Sequence, residues 1–166
     1  MAKPWYARTS WSPDDREDFL ARLRAVAGDH EQAAILRKQA GHLLKARTPE
    51  SLAGARELYE LLLAQFPDSS DTAYAHAALG ECLERQGEPD RALAAYVRAL
   101  DAQLGRTRTT NAHLRFGLLA VETGRIELYD VAQRLIDEFG QALIYPAEQY
   151  QQCAIRAVIA AQRGEG

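Results

Sequence analysis

Few side chains in this chain are capable of chemistry, and they are widely spaced. There are four histidines and two cysteines in 166 residues. No histidine has a glutamate three residues before it, and there is no His-Glu-x-x-His run. The spacings that place two metal ligands on one helical face are therefore missing. The Gly-x-x-x-x-Gly-Lys-Ser/Thr loop that cradles phosphate, the Gly-x-Gly-x-x-Gly turn and the Gly-x-Ser-x-Gly nucleophile elbow are missing too. Cys82 and Cys153 stand far apart among apolar neighbours, which predicts two buried thiols rather than a disulfide or a metal site. His76 and His113 each precede a glycine by four residues, inside apolar helical runs, and read as structural. His42 differs: with Lys38 and Lys45 it forms a basic stripe at helical spacing, which a solvated face and a binding surface explain equally well. The expectation is a chain that is not an enzyme and takes no cofactor or metal.

Composition narrows the partners. The hydrophobic fraction of 47% supports a sizeable core, and 26% charged residues fit a soluble protein. A net charge of −3 gives no general basic excess for nucleic acid or an anionic membrane. The opening Met-Ala-Lys-Pro-Trp-Tyr lacks the apolar run of a secretory signal, and Arg156 interrupts the most apolar stretch near the C-terminus, so a cytoplasmic location is expected. Arginine greatly outnumbers lysine, and alanine and leucine abound, a coding bias that suggests a bacterial source.

The elements that must position these residues are helices. Sustained period-2 alternation is absent, and good helix formers dominate. Ser12-Pro13-Asp14-Asp15 supplies a cap, a first-turn proline and acids complementing the helix dipole; that helix ends near Ala27-Gly28. Asp29 and Gln32 suggest a capping box for a second helix to about Ala46, and Thr48-Pro49 opens a third that ends at Phe66-Pro67. Ser69 or Ser70 is expected to cap a fourth, which Gly87 ends, and Pro89 begins a fifth reaching Leu104-Gly105. Thr109-Thr110 precedes a sixth that stops at Gly124, a seventh covers about Ile126 to Glu138, and Pro146 opens an eighth running to about Gln162. Short turns make these an all-α antiparallel helix-hairpin array of about eight helices.

Repetition organises the array. Gly41, Gly80 and Gly117 fall in the middle of predicted helices, where glycine costs about 1 kcal/mol relative to alanine and implies a close helix contact. After each comes a turn and then a helix carrying a small residue with apolar partners at +4 and +7: Ala55-Tyr59-Leu62, Ala92-Tyr96-Ala99 and Ala132-Ile136-Phe139. The stretch His76 to Leu100, with Leu79-Gly80, Gly87 and the Ala92-Tyr96-Ala99 series, resembles the tetratricopeptide repeat; the flanking two stretches are degenerate versions, and Pro67 stands where that repeat closes. The steps between units exceed the family's period of about 34 residues. The resemblance implies a TPR-like α-solenoid in one helical domain, 12–163. Its capping helix would be 12–28, its three repeats about 30–139 and its C-terminal capping helix 146–162, preceded by an aromatic arm, 1–11. The eighth helix reads as apolar nearly all round, with Tyr150, Cys153, Ile155, Val158 and Ile159.

The same resemblance places Lys38, His42 and Lys45 on one helix, and Tyr74, Ala77, Glu81 and Glu84 with Arg85 on the next, along the concave face that such proteins use for binding. Glu81 and Arg85 also form an ordinary i,i+4 pair. In the third repeat Leu114, Leu118 and Val121 continue that face, an apolar stripe for the eighth helix to cover. Asn111 is the chain's one asparagine, so the asparagine-rich clamp that some family members use for a peptide's terminal carboxylate is missing. The implied function is a scaffold or adaptor that binds a protein or peptide in a concave groove, with sequestration of a partner protein as one form of it. A second reading starts from Trp5, Tyr6 and Trp11: the arm packs on its own chain, in its own groove, or on a second copy, which would make the protein a self-associating module or homodimer.

Overall fold

The computed structural model describes residues 4–105, 109–140 and 145–164. Among them the chain is all-α: α1 (Pro13–Arg24), α2 (Asp29–Ala46), α3 (Pro49–Gln65), α4 (Thr72–Arg85), α5 (Pro89–Gln103), α6 (Ala112–Glu122), α7 (Tyr129–Phe139) and α8 (Pro146–Arg163), with a short 3-10 turn at Ile126–Leu128 before α7. Helices α1 to α4 pack in sequence as antiparallel neighbours, α5 packs on α4, and α6, α7 and α8 pack together. Two compact units are present, Met1–Ala102 and Gln103–Gly166.

Local chemistry accounts for most helix ends. Ser12 and Asp15 form a reciprocal capping box at α1, and Thr48 and Ser51 do the same at α3, each followed by a first-turn proline. Two other expected caps differ. Gly28 is the N-cap of α2, at φ 91°, and it leaves Asp29 inside the helix; Gln32 instead donates to the Val26 carbonyl at 2.8 Å. At α4 the N-cap is Asp71 rather than a serine: Ser69 Oγ accepts from the Asp71 amide, while the Thr72 hydroxyl reaches the Pro67 and Ser69 carbonyls. Side chains in that turn thus satisfy the turn itself, ahead of the helix.

In the first unit the core runs from Phe19 and Leu36 through Leu43, Leu58, Tyr59 and Leu62 to Cys82 and Tyr96, all fully buried. Gly80 lets α4 and α5 approach closely: a Cβ there would stand 2.5 Å from Tyr96 of α5. In the second unit a Cβ on Gly117 of α6 would stand 3.2 Å from Ile155 of α8 and 3.5 Å from Ile136 of α7. The helix α8 therefore does cover part of α6, leaving Leu114 buried and Leu118 and Val121 half-buried. It is not the all-round buried helix that its composition suggests. Ile155 and Ile159 are its buried residues, whereas Tyr150 is 75% exposed and Cys153 and Val158 are also exposed. The reason is geometric: among the described residues α8 packs on α6 and α7, both on one side of it.

The repetition has a structural counterpart. Each mid-helix glycine faces the +4 residue of the following helix: Gly41 faces Tyr59, whose hydroxyl would lie 3.8 Å from a Cβ there, Gly80 faces Tyr96, and Gly117 faces Ile136. After α4 and α6 the chain turns identically. Gly87 and Gly124 take left-handed φ of 76° and 65°. Glu88 N–H returns to Leu83 C=O and Arg125 N–H to Ala120 C=O, both at 2.9 Å, the paired closure of a glycine-ended helix. The first hairpin has no glycine there, and Arg47 adopts the left-handed conformation instead, at φ 62°.

Candidate functional site

The N-terminal arm decides which surface of the first unit stays open. Residues 1–3 lie outside the described residues; from Pro4 onward the arm packs on its own unit. Trp5 and Trp11 stack on Phe19 of α1 with ring centroids 5.4 and 5.5 Å away, and Trp11 fills the space over Gly54 of α3, where a Cβ would meet its ring at 2.3 Å. Trp11 Nε1 donates to Glu57 at 3.3 Å. The fully buried Gln39 of α2 reads the arm's backbone at Arg8 from both sides, its Oε1 accepting from Arg8 N–H at 3.0 Å and its Nε2 donating to Arg8 C=O at 3.1 Å. The Arg8 guanidinium pairs with Asp15 and Asp18. Two of the four acids near the start of α1 therefore hold the arm as well as complementing the helix dipole. Hydrogen bonding with Arg8 holds the Asp18 carboxyl below the usual range, and the Ser12 backbone does the same for Asp15.

Beside this, α2 and α4 enclose a cleft of about 280 Å³. Lys45, Tyr74, Glu81 and Arg85, predicted as one binding face, line it together with Gly41, Leu44 and Arg47. Arg85 organises the wall: it pairs with Glu81 and donates through Nη1 to the Leu44 carbonyl at 3.1 Å, satisfying one of the open carbonyls at the end of α2. Tyr74 is 46% exposed and held from behind by Tyr59, centroids 6.4 Å apart, and by the Arg37 guanidinium, 5.6 Å from its ring. Arg37 is itself fixed by Asp71 at 3.0 Å.

The other predicted residues do not line this cleft. The Lys38 ammonium lies over the Tyr6 ring at 5.5 Å with the residue exposed, so the upstream end of the basic stripe meets the arm. His42 is half-buried beside Gly41. Glu84 accepts the Tyr96 hydroxyl at 2.6 Å and belongs to the contact between α4 and α5. Arg47 went unrecognised in the sequence, although a signal was present. Only one residue separates the end of α2 at Ala46 from the cap of α3 at Thr48, and reversing the chain in one residue calls for a left-handed conformation. Gln39 also went unrecognised: its partner is a backbone, which carries no sequence signature.

The groups that burial keeps neutral lie in or against the core. Burial pushes the Cys82 thiol up to about 12, which makes it an inert core residue. Burial also raises the Tyr59 phenol and lowers His76. His113 is buried against Phe139, and desolvation holds it down at about 4, opposed in part by the Thr110 backbone. Cys153, expected to be buried, is exposed because it faces away from α6 and α7. Among the described residues no group of three or more His, Cys, Asp or Glu could hold a metal, and no helix is long and apolar enough to cross a membrane.

Comparison with protein-family models, curated proteins and solved structures finds no match.

Proposed function

We propose that the chain is a non-enzymatic scaffold of tetratricopeptide type that binds a protein or peptide partner in the cleft between α2 and α4. The observation that carries the reading is the recurrence of one packing unit in three hairpins, a mid-helix glycine facing the +4 residue of the next helix. In such arrays the first helices of successive hairpins line a common face. Here α2 and α4 do so around a half-exposed, braced tyrosine. An aromatic side chain fixed in advance loses little entropy on binding, and such residues anchor interfaces. The cis packing of the aromatic arm favours this reading over self-association, since Trp5, Trp11 and Gln39 are already engaged within the unit.

The test is site-specific photo-crosslinking in the native host, with the photoreactive residue at Tyr74 or, as a control, at the exposed Val97 of α5. Position 74 should capture a heterologous protein that position 97 does not. Capture of only a second copy of the chain, or equal capture at both positions, would count against the groove.

A further inference from the structure

The chemistry of the cleft narrows its occupant. Of the charged residues lining it, Glu81 is the one acid, and its charge is met by Arg85. Lys45 and Arg47 have no ion pair among the described residues, so the cleft carries an unmatched positive charge in a chain whose net charge is −3. Cations near the end of a helix have an ordinary explanation in the helix dipole, and that would suffice for Lys45. It does not suffice for Arg47. At φ 62° glycine is the unstrained residue, and the equivalent turns after α4 and α6 use it. An arginine side chain stands there against the local backbone preference, and it lines the cleft.

Gly41 leaves its part of the cleft wall without a side chain. Beside the cations the cleft offers Tyr74 and Leu44, surfaces for an apolar group.

We propose that this cleft takes an acidic peptide segment, with side-chain carboxylates paired to Lys45 and Arg47 and an adjoining apolar residue on Tyr74. The proposal rests on the groove reading above and specifies its partner. A free inorganic anion would use the cations without Tyr74.

The probe is a fluorescein-labelled, end-blocked peptide of glutamates around one leucine, compared by anisotropy with its lysine counterpart on the full chain. The acidic peptide should bind at least about tenfold tighter, and its affinity should fall by about tenfold or more between low and high salt. Inorganic phosphate should compete only weakly. Arg47→Gly separates binding from folding: it should keep or raise the melting temperature while weakening the peptide several-fold. Lys45→Glu with Arg47→Glu should remove binding. Equal binding of both peptides, no binding of the acidic one, full competition by phosphate, or unchanged affinity in these variants would overturn the proposal. The two readings fail separately. A partner captured at position 74 whose affinity ignores the charge reversal keeps the groove and removes the acidic occupant, whereas no capture at position 74 removes the groove itself.

Discussion

Replacing Gly80 by alanine adds one methyl group and sets two effects against each other. In a helix interior the change gains about 1 kcal/mol of intrinsic propensity. Against this, the new Cβ would stand 2.5, 2.7 and 2.9 Å from three ring carbons of Tyr96, closer than real contacts allow. The ring is fully buried, and its hydroxyl is held by Glu84 at 2.6 Å, so it cannot swing aside without breaking that bond. Overpacking costs about 1–3 kcal/mol, and a hydrogen bond to a charged group is worth about 1.5–3. After the propensity gain, the net expectation for Gly80→Ala is a loss of up to about 2 kcal/mol. Gly41→Ala is the internal control: its Cβ would meet only the Tyr59 hydroxyl, at an ordinary 3.8 Å, so the propensity gain should survive and stability rise by up to about 1 kcal/mol. Urea denaturation followed by tryptophan fluorescence suits the measurement, because both tryptophans, Trp5 and Trp11, lie in the first unit. In a Tyr96→Leu background the cost of Gly80→Ala should shrink, giving a coupling of about 1 kcal/mol or more. A stabilised Gly80→Ala, or equal effects at positions 41 and 80, would refute the packing argument.

Gly54→Ala should expel Trp11 from its seat on α3, red-shifting the fluorescence and costing about 1–3 kcal/mol; an unshifted spectrum would mean the arm does not dock there. Acid should weaken the second unit through His113: folded at about 4 against 6.5 unfolded, it stays neutral while the unfolded chain takes up a proton. Its contribution is complete above about pH 6.5 and falls by about 3 kcal/mol toward pH 4, a slope that His113→Leu should remove when urea melts at the two pH values are compared. Under native conditions a maleimide should label Cys153 rapidly and Cys82 only after denaturation, and equal rates would contradict the described burial.

Much of this was legible because it is local. Helix starts marked by Ser12-Pro13 and Thr48-Pro49, and helix ends at Gly87 and Gly124, depend on residues a few positions apart. The Gly80–Tyr96 contact was readable because it recurs in neighbouring hairpins. Gly54 was not, since its reason is Trp11, distant in sequence and unrepeated. The eighth helix misled because alanines allow either face to be buried, and only the positions of α6 and α7 choose between them. The whole predicted face was assigned to one groove, and only Lys45, Tyr74, Glu81 and Arg85 line the cleft, because helical spacing fixes direction but not depth. Lys38 and Lys45 share a stripe, yet one sits on Tyr6 of the arm and the other lines the cleft.

The cleft lies where the repeat is least regular. In the second and third hairpins the mid-helix glycine is filled against by Tyr96, or by Ile136 and Ile155, and a glycine makes the turn. In the first hairpin both constraints are relaxed. Gly41 keeps ordinary distance from Tyr59 and is half-exposed, and the turn is made by Arg47. The open wall and the turn cation are thus two results of one departure from the pattern, and both line the cleft. Local rules broken without a packing reason are expected at binding sites, where stability is traded for contact with something else. Restoring the rule with glycine at position 47 should then stabilise the turn and empty the cleft of its strained charge, so that folding and binding respond in opposite directions to a single substitution.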